Sequence, residues 1–254
     1  MKLLIVLCLV ACATASPFIV GGEEADVGEF PWQGSLMYNG GHTCGCVLIS
    51  PDWALTAAHC TDGRQIPGNF LAWFGVHDRR TNQGDQHAVS SITQHPDFIN
   101  LGAAAWPNDI ALLELTVSAD ESDPNIQSVP ISSREVDFPY SDCMISGWGR
   151  TCGSCSLPFV LMKTPMNVLT QADCSQRWNP YPIDDYHICI LSDNLDAGSC
   201  NGDSGGPLVC ESPFELCGIT SWGASGCGTT TPSVYSRPSV NCGWITSVSG
   251  VACM

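Results

Sequence analysis

Short apolar runs separated by turn-forming residues constrain the fold of this chain most strongly. Each run is rich in Val, Ile, Leu, Trp and Thr, and clusters of Gly, Pro, Asn and Asp lie between them, as at residues 46–49, 70–76, 110–115, 143–146, 207–210 and 218–222. This pattern is typical of an all-β sandwich or barrel. The polar stretch 118–130 lacks apolar alternation and predicts a linker between two β units. Residues 240–249 predict a short terminal helix.

The N-terminus has the features of a secretory signal. Lys2 precedes an apolar run over residues 3–11, and small residues follow up to Ala15, so we expect cleavage after Ala15. The run is shorter than the roughly 20 residues that cross a ~30 Å hydrocarbon core, which argues against a membrane anchor. We therefore predict a signal peptide over residues 1–15 and a secreted, extracellular protein that does not bind membranes.

Cysteine content and charge narrow the class of protein further. Cys8 and Cys12 lie in the signal, which leaves 14 of the 16 cysteines in the secreted chain. An even, high number in a secreted protein predicts disulfides rather than metal ligands. The whole chain has 9 basic and 25 acidic residues, so we expect no nucleic-acid partner, because the phosphate backbone would be repelled. Lys163 is the one lysine after the signal, which suits a digestive setting rich in trypsin-like enzymes.

Three segments carry residues suited to peptide hydrolysis. Residues 55–60 read Leu-Thr-Ala-Ala-His-Cys, residues 108–113 read Asn-Asp-Ile-Ala-Leu-Leu, and residues 202–207 read Gly-Asp-Ser-Gly-Gly-Pro. Each segment alone has a structural explanation, as a strand end or a tight turn. Together they supply His59, Asp109 and Ser204. These are the base, the orienting acid and the nucleophile that such hydrolysis needs.

Further motifs accompany these segments and carry a family resemblance. They are Ile19-Val20-Gly21-Gly22, Pro31-Trp32-Gln33, Gly147-Trp148-Gly149 and Ser221-Trp222-Gly223. From residue 19 to the C-terminus the sequence resembles the trypsin/chymotrypsin family of serine proteases. The resemblance implies an all-β fold of two antiparallel six-stranded β-barrels packed together, with a short C-terminal helix. It places the protease domain at residues 19–254, with the first barrel at 19–125 and the second at 126–254.

The resemblance also implies the roles of the central residues. Ser204 would attack the carbonyl carbon, and His59 would take the Ser204 hydroxyl proton and later give it to the leaving amine. Asp109 would orient the imidazole. The backbone N–H groups of Gly202 and Ser204 would form the oxyanion hole. Ser221 would support Asp109, or it is an ordinary strand residue.

Family members with this opening motif are made as zymogens. Residues 16–18 would be the propeptide, and the amine freed at Ile19 would pair with Asp203. Phe18 precedes the cut, which predicts activation by a chymotrypsin-like enzyme rather than by trypsin. Ser35 and His42 match positions that hold Asp203 in inactive zymogens. Alternatively, they are a strand serine and a surface histidine.

Four neutral residues are implied to form the specificity pocket. Gly198 takes the floor position where trypsin-like members have aspartate, Ser199 adds a polar group, and Gly223 and Ser233 belong to the walls. We therefore expect cleavage after Phe, Tyr, Leu, Met or Trp rather than after Arg or Lys. Partial filling by Ser233 leaves an elastase-like preference for small aliphatic residues open. A protease-like binding protein without catalysis is the second alternative.

The family positions imply four disulfides, Cys44–Cys60, Cys143–Cys210, Cys174–Cys189 and Cys200–Cys227. Six cysteines remain, which allow 15 pairings. Cys152 and Cys155 could pair locally, and we suspect a bond between Cys46 and Cys217. If residues 240–253 formed one continuous helix, Cys242 and Cys253 would lie ~16 Å apart, too far for a bond.

We predict that the protein needs no cofactor or metal ion. The turn at Phe74-Gly75 is followed by Val76, where calcium-binding relatives place their first glutamate ligand. His77, His87, His95 and His187 show no ligand spacing. The expected partners are protein and peptide substrates and protein protease inhibitors, and the expected state is a monomer.

Overall fold

The computed structural model describes residues 19–102 and 105–254. The predicted signal peptide and propeptide therefore lie outside the described residues. Within this part of the chain, no helix has both the length and the apolar character required to cross a membrane.

Two antiparallel barrels form the molecule. A two-residue strand, β1, precedes the first barrel and pairs with the second. The first barrel closes in the order β2-β3-β4-β7-β6-β5. The bounds so far are β1 (Glu23–Glu24), β2 (Gln33–Tyr38), β3 (Gly41–Ser50), β4 (Trp53–Thr56), β5 (Phe70–Phe74), β6 (Asp85–Gln94) and β7 (Ala111–Leu115). Leu36, Leu48, Phe70 and Leu113 are fully buried in its core.

The second barrel uses the remaining six strands. They are β8 (Cys143–Gly147), β9 (Met162–Val168), β10 (His187–Leu191), β11 (Pro207–Cys210), β12 (Glu215–Trp222) and β13 (Ser233–Ser236). Neighbours pair in the order β8-β9-β10-β13-β12-β11, and pairing of β11 and β9 with β8 closes the ring. The predicted fold class, two six-stranded barrels with a short C-terminal helix, is confirmed.

In the described part of the chain two α-helices accompany the barrels, α1 (Gln171–Trp178) and α2 (Cys242–Ser249). The α1 helix begins after Thr170, whose side chain accepts a hydrogen bond from the Asp173 N–H, a regular N-cap. The α2 helix lies where the sequence predicts a terminal helix, and the short helix α1 is an addition to that prediction. Single 3₁₀ turns occur at Ala58–Cys60, Pro67–Asn69, Ser225–Cys227 and Ser239–Asn241.

The segment 118–130 contains no strand or helix and crosses between the barrels. The Val129 N–H still donates to Leu48 O in the first barrel, whereas Pro130 O accepts from the Leu216 N–H in the second. The chain therefore changes barrels at this point, near the predicted boundary.

The barrels touch closely at two glycines, and this contact positions the site. A Cβ atom at Gly45 would lie 2.8 Å from the Gly206 Cα, so a side chain at position 45 would prevent the two segments from packing this closely. The Gly45 N–H donates to Ser204 O at 2.7 Å. The segment that carries Ser204 is thereby tied to β3 of the first barrel.

The structure places all four family-implied cysteine pairs at bonding distance, and it also joins Cys152 to Cys155. Cys242 and Cys253, whose pairing the sequence leaves open, are also bonded, with 5.9 Å between the Cα atoms, because residues 240–253 do not form the continuous helix that would exclude the bond. The α2 helix stops at Ser249, and Gly250 turns the chain back with a φ of +75°. The left-handed backbone conformation at this position costs little free energy, because glycine has no Cβ atom.

The suspected bond between Cys46 and Cys217 is also absent. Both cysteines are buried and carry free thiols. Cys46 packs in the larger core cluster, which includes the first barrel, and Cys217 packs in a separate cluster of the second barrel. Burial raises the pKa of both thiols, to about 12 for Cys217.

Candidate active site

His59 and Asp109 come together at one end of the first barrel. His59 lies in the 3₁₀ turn after β4, and Asp109 lies two residues before β7. Asp109 Oδ1 accepts from the His59 backbone N–H at 2.8 Å, and Oδ2 lies 2.7 Å from His59 Nδ1. Asp109 is fully buried, whereas 17% of the His59 side chain is exposed. Asp109 thus holds the Nδ1 edge of the imidazole, while another part of the ring remains exposed.

The second barrel completes the surroundings of Asp109. Ser221 Oγ on β12 donates to Asp109 Oδ2 at 2.5 Å. Ser236 Oγ on β13 donates to the Asp109 carbonyl oxygen at 2.7 Å. A buried carboxylate is costly without hydrogen-bond donors, and here every donor is in place. Of the two interpretations offered for Ser221, this hydrogen bond favours the one in which it supports Asp109.

Ser204 lies in the loop between β10 and β11. Its segment is a series of tight turns, in which the Asp203 N–H donates to Cys200 O and the Gly205 N–H donates to Thr220 O at 2.8 Å. Ser204 and His59 line the same cleft, which has a volume of about 410 Å³. Among the described residues no hydrogen bond joins the two side chains. Contacts of this kind commonly tighten when substrate binds.

The backbone around Gly202 leaves two N–H groups free. Gly202 has a φ of +102°, and a Cβ atom there would lie 2.7 Å from Leu157 Cδ2. Glycine is therefore required for both conformation and space. In the described part of the chain, neither the Gly202 nor the Ser204 N–H has an acceptor. Two unpaired donors beside the Ser204 hydroxyl suit a developing oxyanion.

Ser35 and His42 support the Gly202 peptide rather than Asp203. Ser35 Oγ lies 2.8 Å from His42 Nδ1, and His42 Nε2 lies 3.0 Å from the Gly202 carbonyl oxygen. Because a carbonyl can only accept, Nε2 carries the proton. Burial, together with the charge of Arg79, lowers the pKa of His42 to about 4. The expected contact of His42 with Asp203 is not formed in this structure.

Asp203 is buried beside the nucleophile, and no cation among the described residues contacts its carboxylate. Its Oδ1 accepts from the Gly149 N–H at 2.7 Å, and its Oδ2 accepts from the Cys200 N–H at 2.9 Å. Burial raises the pKa of Asp203 to about 7. Ile19 is fully buried in the core of the second barrel, and the next residue, Val20, pairs with Gly198.

The four residues expected in the specificity pocket lie close together. Ser199 and Gly223 line the cleft directly. Ser233 lies behind them, with its Oγ 3.4 Å from the place of a Cβ at Gly198 and 4.0 Å from that of a Cβ at Gly223. Among the described residues that line the cleft, His59 is the only one with an ionisable side chain, since Cys200 and Cys227 are joined in a disulfide. The described lining of the cleft therefore carries no carboxylate and no permanent cation.

Comparison with known proteins agrees with this geometry. The family model described as Trypsin matches residues 19–245. The chain belongs to the trypsin family. It is 41% identical to a chymotrypsin-like serine proteinase of Haliotis rufescens, with 96% of each chain covered. It is 40% identical to fibrinolytic enzyme isozyme C of Lumbricus rubellus, over 89% of this chain and 98% of the relative.

A solved structure supports the same family. Neuropsin, a serine protease expressed in the limbic system of mouse brain, superposes with a TM-score of 0.80 at 31% identity, covering 89% of this chain and 97% of neuropsin. This trypsin-family chain is thus a serine endopeptidase. Its fold, the matched length and the identity to named proteinases all agree.

Sequence reasoning missed Trp106 in this trypsin-family site. The Trp106 ring packs on His59 with 4.6 Å between centroids, and Trp106 also lines the cleft. Its carbonyl oxygen lies 3.2 Å from His187 Nε2, which steadies the loop before Asp109. The available signal was its position three residues before Asp109, close enough for one short loop to carry both.

Cys44, His59 and Cys60 form a cluster that superficially resembles a metal site. The two sulfur atoms are bonded to each other, so they offer no thiolate ligand. The imidazole is already bound to Asp109. This donor set does not suit a metal ion.

Proposed function

We propose that this protein is a secreted, chymotrypsin-like digestive endopeptidase, made as a zymogen, that cuts after large apolar residues. The cleft beside Ser204, whose described lining includes no carboxylate, carries the specificity part of the proposal. A basic side chain entering it would lose water without meeting a carboxylate, which is unfavourable. Gly223 leaves the entrance open, so an aromatic or long aliphatic side chain can bury its surface there.

The reaction follows from the arrangement around Ser204. His59 takes the hydroxyl proton as Ser204 attacks the carbonyl carbon, and it then protonates the leaving amine. Asp109 holds the proton on Nδ1, so that Nε2 is the basic nitrogen, and it stabilises the imidazolium cation. The free N–H groups of Gly202 and Ser204 bind the oxyanion. Loss of one such donor typically raises the barrier by about 3–4 kcal/mol.

Activation depends on Asp203 in this proposal. Cleavage of the Phe18–Ile19 bond creates an amine next to a fully buried side chain and close in sequence to the strand pairing of Val20 with Gly198. An amine cation that reaches Asp203 would compensate its buried charge. Breaking a buried pair of this kind costs about 3–5 kcal/mol, enough to hold the adjacent oxyanion hole in place.

A panel of chromogenic peptides ending in Phe, Leu, Ala and Arg tests the specificity. We expect kcat/KM to be highest for Phe or Leu and lowest for Arg. Ser233→Gly should widen the cleft and raise the Phe-to-Ala ratio, because it removes the hydroxyl nearest to Gly198. Ser204→Ala serves as the inactive control. Highest turnover of the Ala peptide by the native enzyme would establish the elastase-like alternative instead.

Activation is tested separately on the Ser204→Ala proenzyme, which cannot process itself. We expect chymotrypsin to cut before Ile19 and trypsin to leave that bond intact, as read by N-terminal sequencing. Efficient processing at Ile19 by trypsin alone would contradict the proposed activation. Reaction of the activated native enzyme with an organophosphorus serine reagent excludes the non-catalytic alternative, and failure to react would favour it.

The digestive role is supported by the scarcity of trypsin cleavage points. Eight Lys and Arg residues follow Lys2 in the chain. Arg237 is buried, with 1% exposure. Lys163 is held by Glu29, with 2.6 Å between Nζ and Oε1. The mature protein should therefore stay intact for hours in trypsin, and rapid fragmentation under native conditions would argue against this role.

A further inference from the structure

We propose that the leaving-group side of the cleft selects an acidic side chain two residues after the scissile bond, at position P2′. The proposal rests on the proposed endopeptidase function and adds a substrate preference to it. The residues that carry it are Arg79 and Arg150, which we call the arginine pair.

The arginine pair has no carboxylate partner among the described residues, a property shared by Arg64, Arg177 and Arg237, and its place next to the oxyanion hole is what sets it apart. Among the described residues, the Lys and Arg side chains within 4.0 Å of a carboxylate are Arg80, Arg134 and Lys163. Arg79 and Arg150 have none, although acidic residues outnumber basic ones by 25 to 9 in this chain. Their side chains instead donate to backbone carbonyls, Arg79 Nη2 to Pro158 O and Arg150 Nη1 to Gly153 O.

Backbone contacts attach the arginine pair to the edge of the oxyanion hole. The Arg150 N–H donates to Asn201 O at 2.9 Å, and Asn201 lines the cleft. The Arg79 N–H donates to Phe159 O at 2.9 Å. The segment before Phe159 contains Leu157, whose Cδ2 lies beside Gly202. Both arginines therefore belong to the wall that continues from Gly202 through Leu157.

The geometry of an extended substrate brings P2′ to this wall. The carbonyl that Ser204 attacks must face the N–H groups of Gly202 and Ser204, while the P1 side chain enters the cleft at Ser199 and Gly223. Side chains alternate along an extended strand with a rise of about 3.3 Å per residue. P1 and P2′ therefore point to the same side, about 7 Å apart. P1′ points to the opposite side.

Arg79 and Arg150 place two positive charges at this wall. Asp78 is the nearest acidic residue in sequence to Arg79, but Arg80 already binds both its carboxylate oxygens. That contact lowers the pKa of Asp78 to about 2. Arg79 Nε is buried and has no hydrogen-bond partner among the described residues. A carboxylate at P2′ would compensate charge that the protein itself leaves unpaired.

Internally quenched peptides that differ only at P2′ test the preference. Each contains Phe at P1 and Glu, Gln or Lys at P2′. At 50 mM NaCl we expect kcat/KM for Glu to exceed that for Lys by about tenfold, with Gln between them. In 1 M NaCl, where the screening length is about 3 Å, the ratio should fall to about two.

Substitutions assign the effect to the arginine pair. Arg79→Gln and Arg150→Gln should each reduce the Glu-to-Lys ratio, and the double variant should bring it near one. The ratio is measured within each variant, so a general loss of activity does not affect it. Arg177→Gln is the matched control, because Arg177 is an exposed cation on α1 with no carboxylate partner among the described residues, and it should leave the ratio unchanged.

The outcomes separate this proposal from the one on which it rests. Equal rates for Glu, Gln and Lys peptides, with Phe at P1 still cleaved, would overturn the P2′ preference alone. Persistence of the preference in the double variant would overturn the assignment to the arginine pair. Failure to cleave any of the Phe peptides would count against the proposed P1 specificity instead.

Discussion

Asp109 and Asp203 are both buried carboxylates beside the same cleft, yet their surroundings differ. Asp109 accepts hydrogen bonds from the His59 backbone and from Ser221, and its Oδ2 contacts the His59 ring. Asp203 accepts from two backbone N–H groups and has no side-chain donor or cation among the described residues. Its pKa is raised to about 7 by burial.

The difference separates a permanent part of the site from a conditional one. The surroundings of Asp109 are complete in the uncut chain, because its donors come from strands and turns that the two barrels already hold. Those of Asp203 include no cation from the described part of the chain, and the proposed source is an amine that exists only after cleavage. The comparison therefore predicts that Asp109 acts on chemistry and Asp203 acts on activation.

The largest effect is expected for Asp109→Asn in the activated enzyme. An amide favours the wrong imidazole tautomer, and the typical loss for this triad is about 10⁴-fold in kcat. Steady-state kinetics with a Phe peptide measure the loss. Cleavage at Ile19 should proceed as in the native proenzyme when an external protease is supplied. Activity within tenfold of the native value would contradict the role of Asp109.

Asp203→Asn should block activation rather than cleavage. The neutral side chain cannot pair with the amine of Ile19, so the oxyanion donors are not held, and kcat/KM should stay about 10³-fold below native. N-terminal sequencing verifies that the bond before Ile19 has been cut. Asp120→Asn, at an exposed carboxylate, is the control. Full activity in the cut Asp203 variant would remove the distinction between the two carboxylates.

The raised pKa of Asp203 also predicts a stability difference between cut and uncut protein. In the uncut chain Asp203 has a folded pKa of about 7, against 3.8 for the ordinary group. Folding then favours the protonated form, so stability falls as pH rises from about 4 to 7 and stays low above that range.

Pairing with the amine should remove this loss in the cut chain. The gap in the free energy of unfolding between cut and uncut Ser204→Ala should therefore open by on the order of 3 kcal/mol between pH 4 and 7. Urea unfolding at several pH values measures it. A gap that does not change with pH would show that Asp203 gains no cation on cleavage.

The smallest effect is expected for Ser221→Ala. The substitution removes one donor to Asp109 while both contacts with His59 remain, and a hydrogen bond to a charged group contributes about 1.5–3 kcal/mol. We expect kcat/KM to fall by about tenfold with little change in KM. Ser221→Thr, which keeps the hydroxyl, should recover part of the loss. An unchanged rate in Ser221→Ala would assign the serine an ordinary structural role.

The fold class could be predicted from the sequence, but half of the barrel strands could not. The six apolar runs fall in β3, β5, β7, β8, β11 and β12. Strand β9 escaped detection because it contains Pro165, which normally argues against a strand. Pro165 is exposed there, and alternate residues such as Met162, Thr164 and Met166 face the core. The neighbouring strands supply the pairing that the local sequence does not signal.

The features that could be predicted from the sequence alone depend on residue types that lie close together in the chain. The three segments that contain His59, Asp109 and Ser204 can each be recognised from six consecutive residues, because tight turns and reactive groups require particular residue types. The open cleft at Gly223 and the positive φ that favours glycine at position 202 are local properties of the same kind. They follow from the absence of a Cβ atom, which any sequence records.

Tertiary structure alone decided the contacts between distant segments. His42 lies 160 positions before Gly202 in the chain, and its ring meets that carbonyl only because β3 packs against the Ser204 loop. The Cys242–Cys253 bond required the turn at Gly250, which a distance along an ideal helix could not anticipate. Such contacts depend on how the two barrels dock and where helices end, and these result from packing summed over the whole chain.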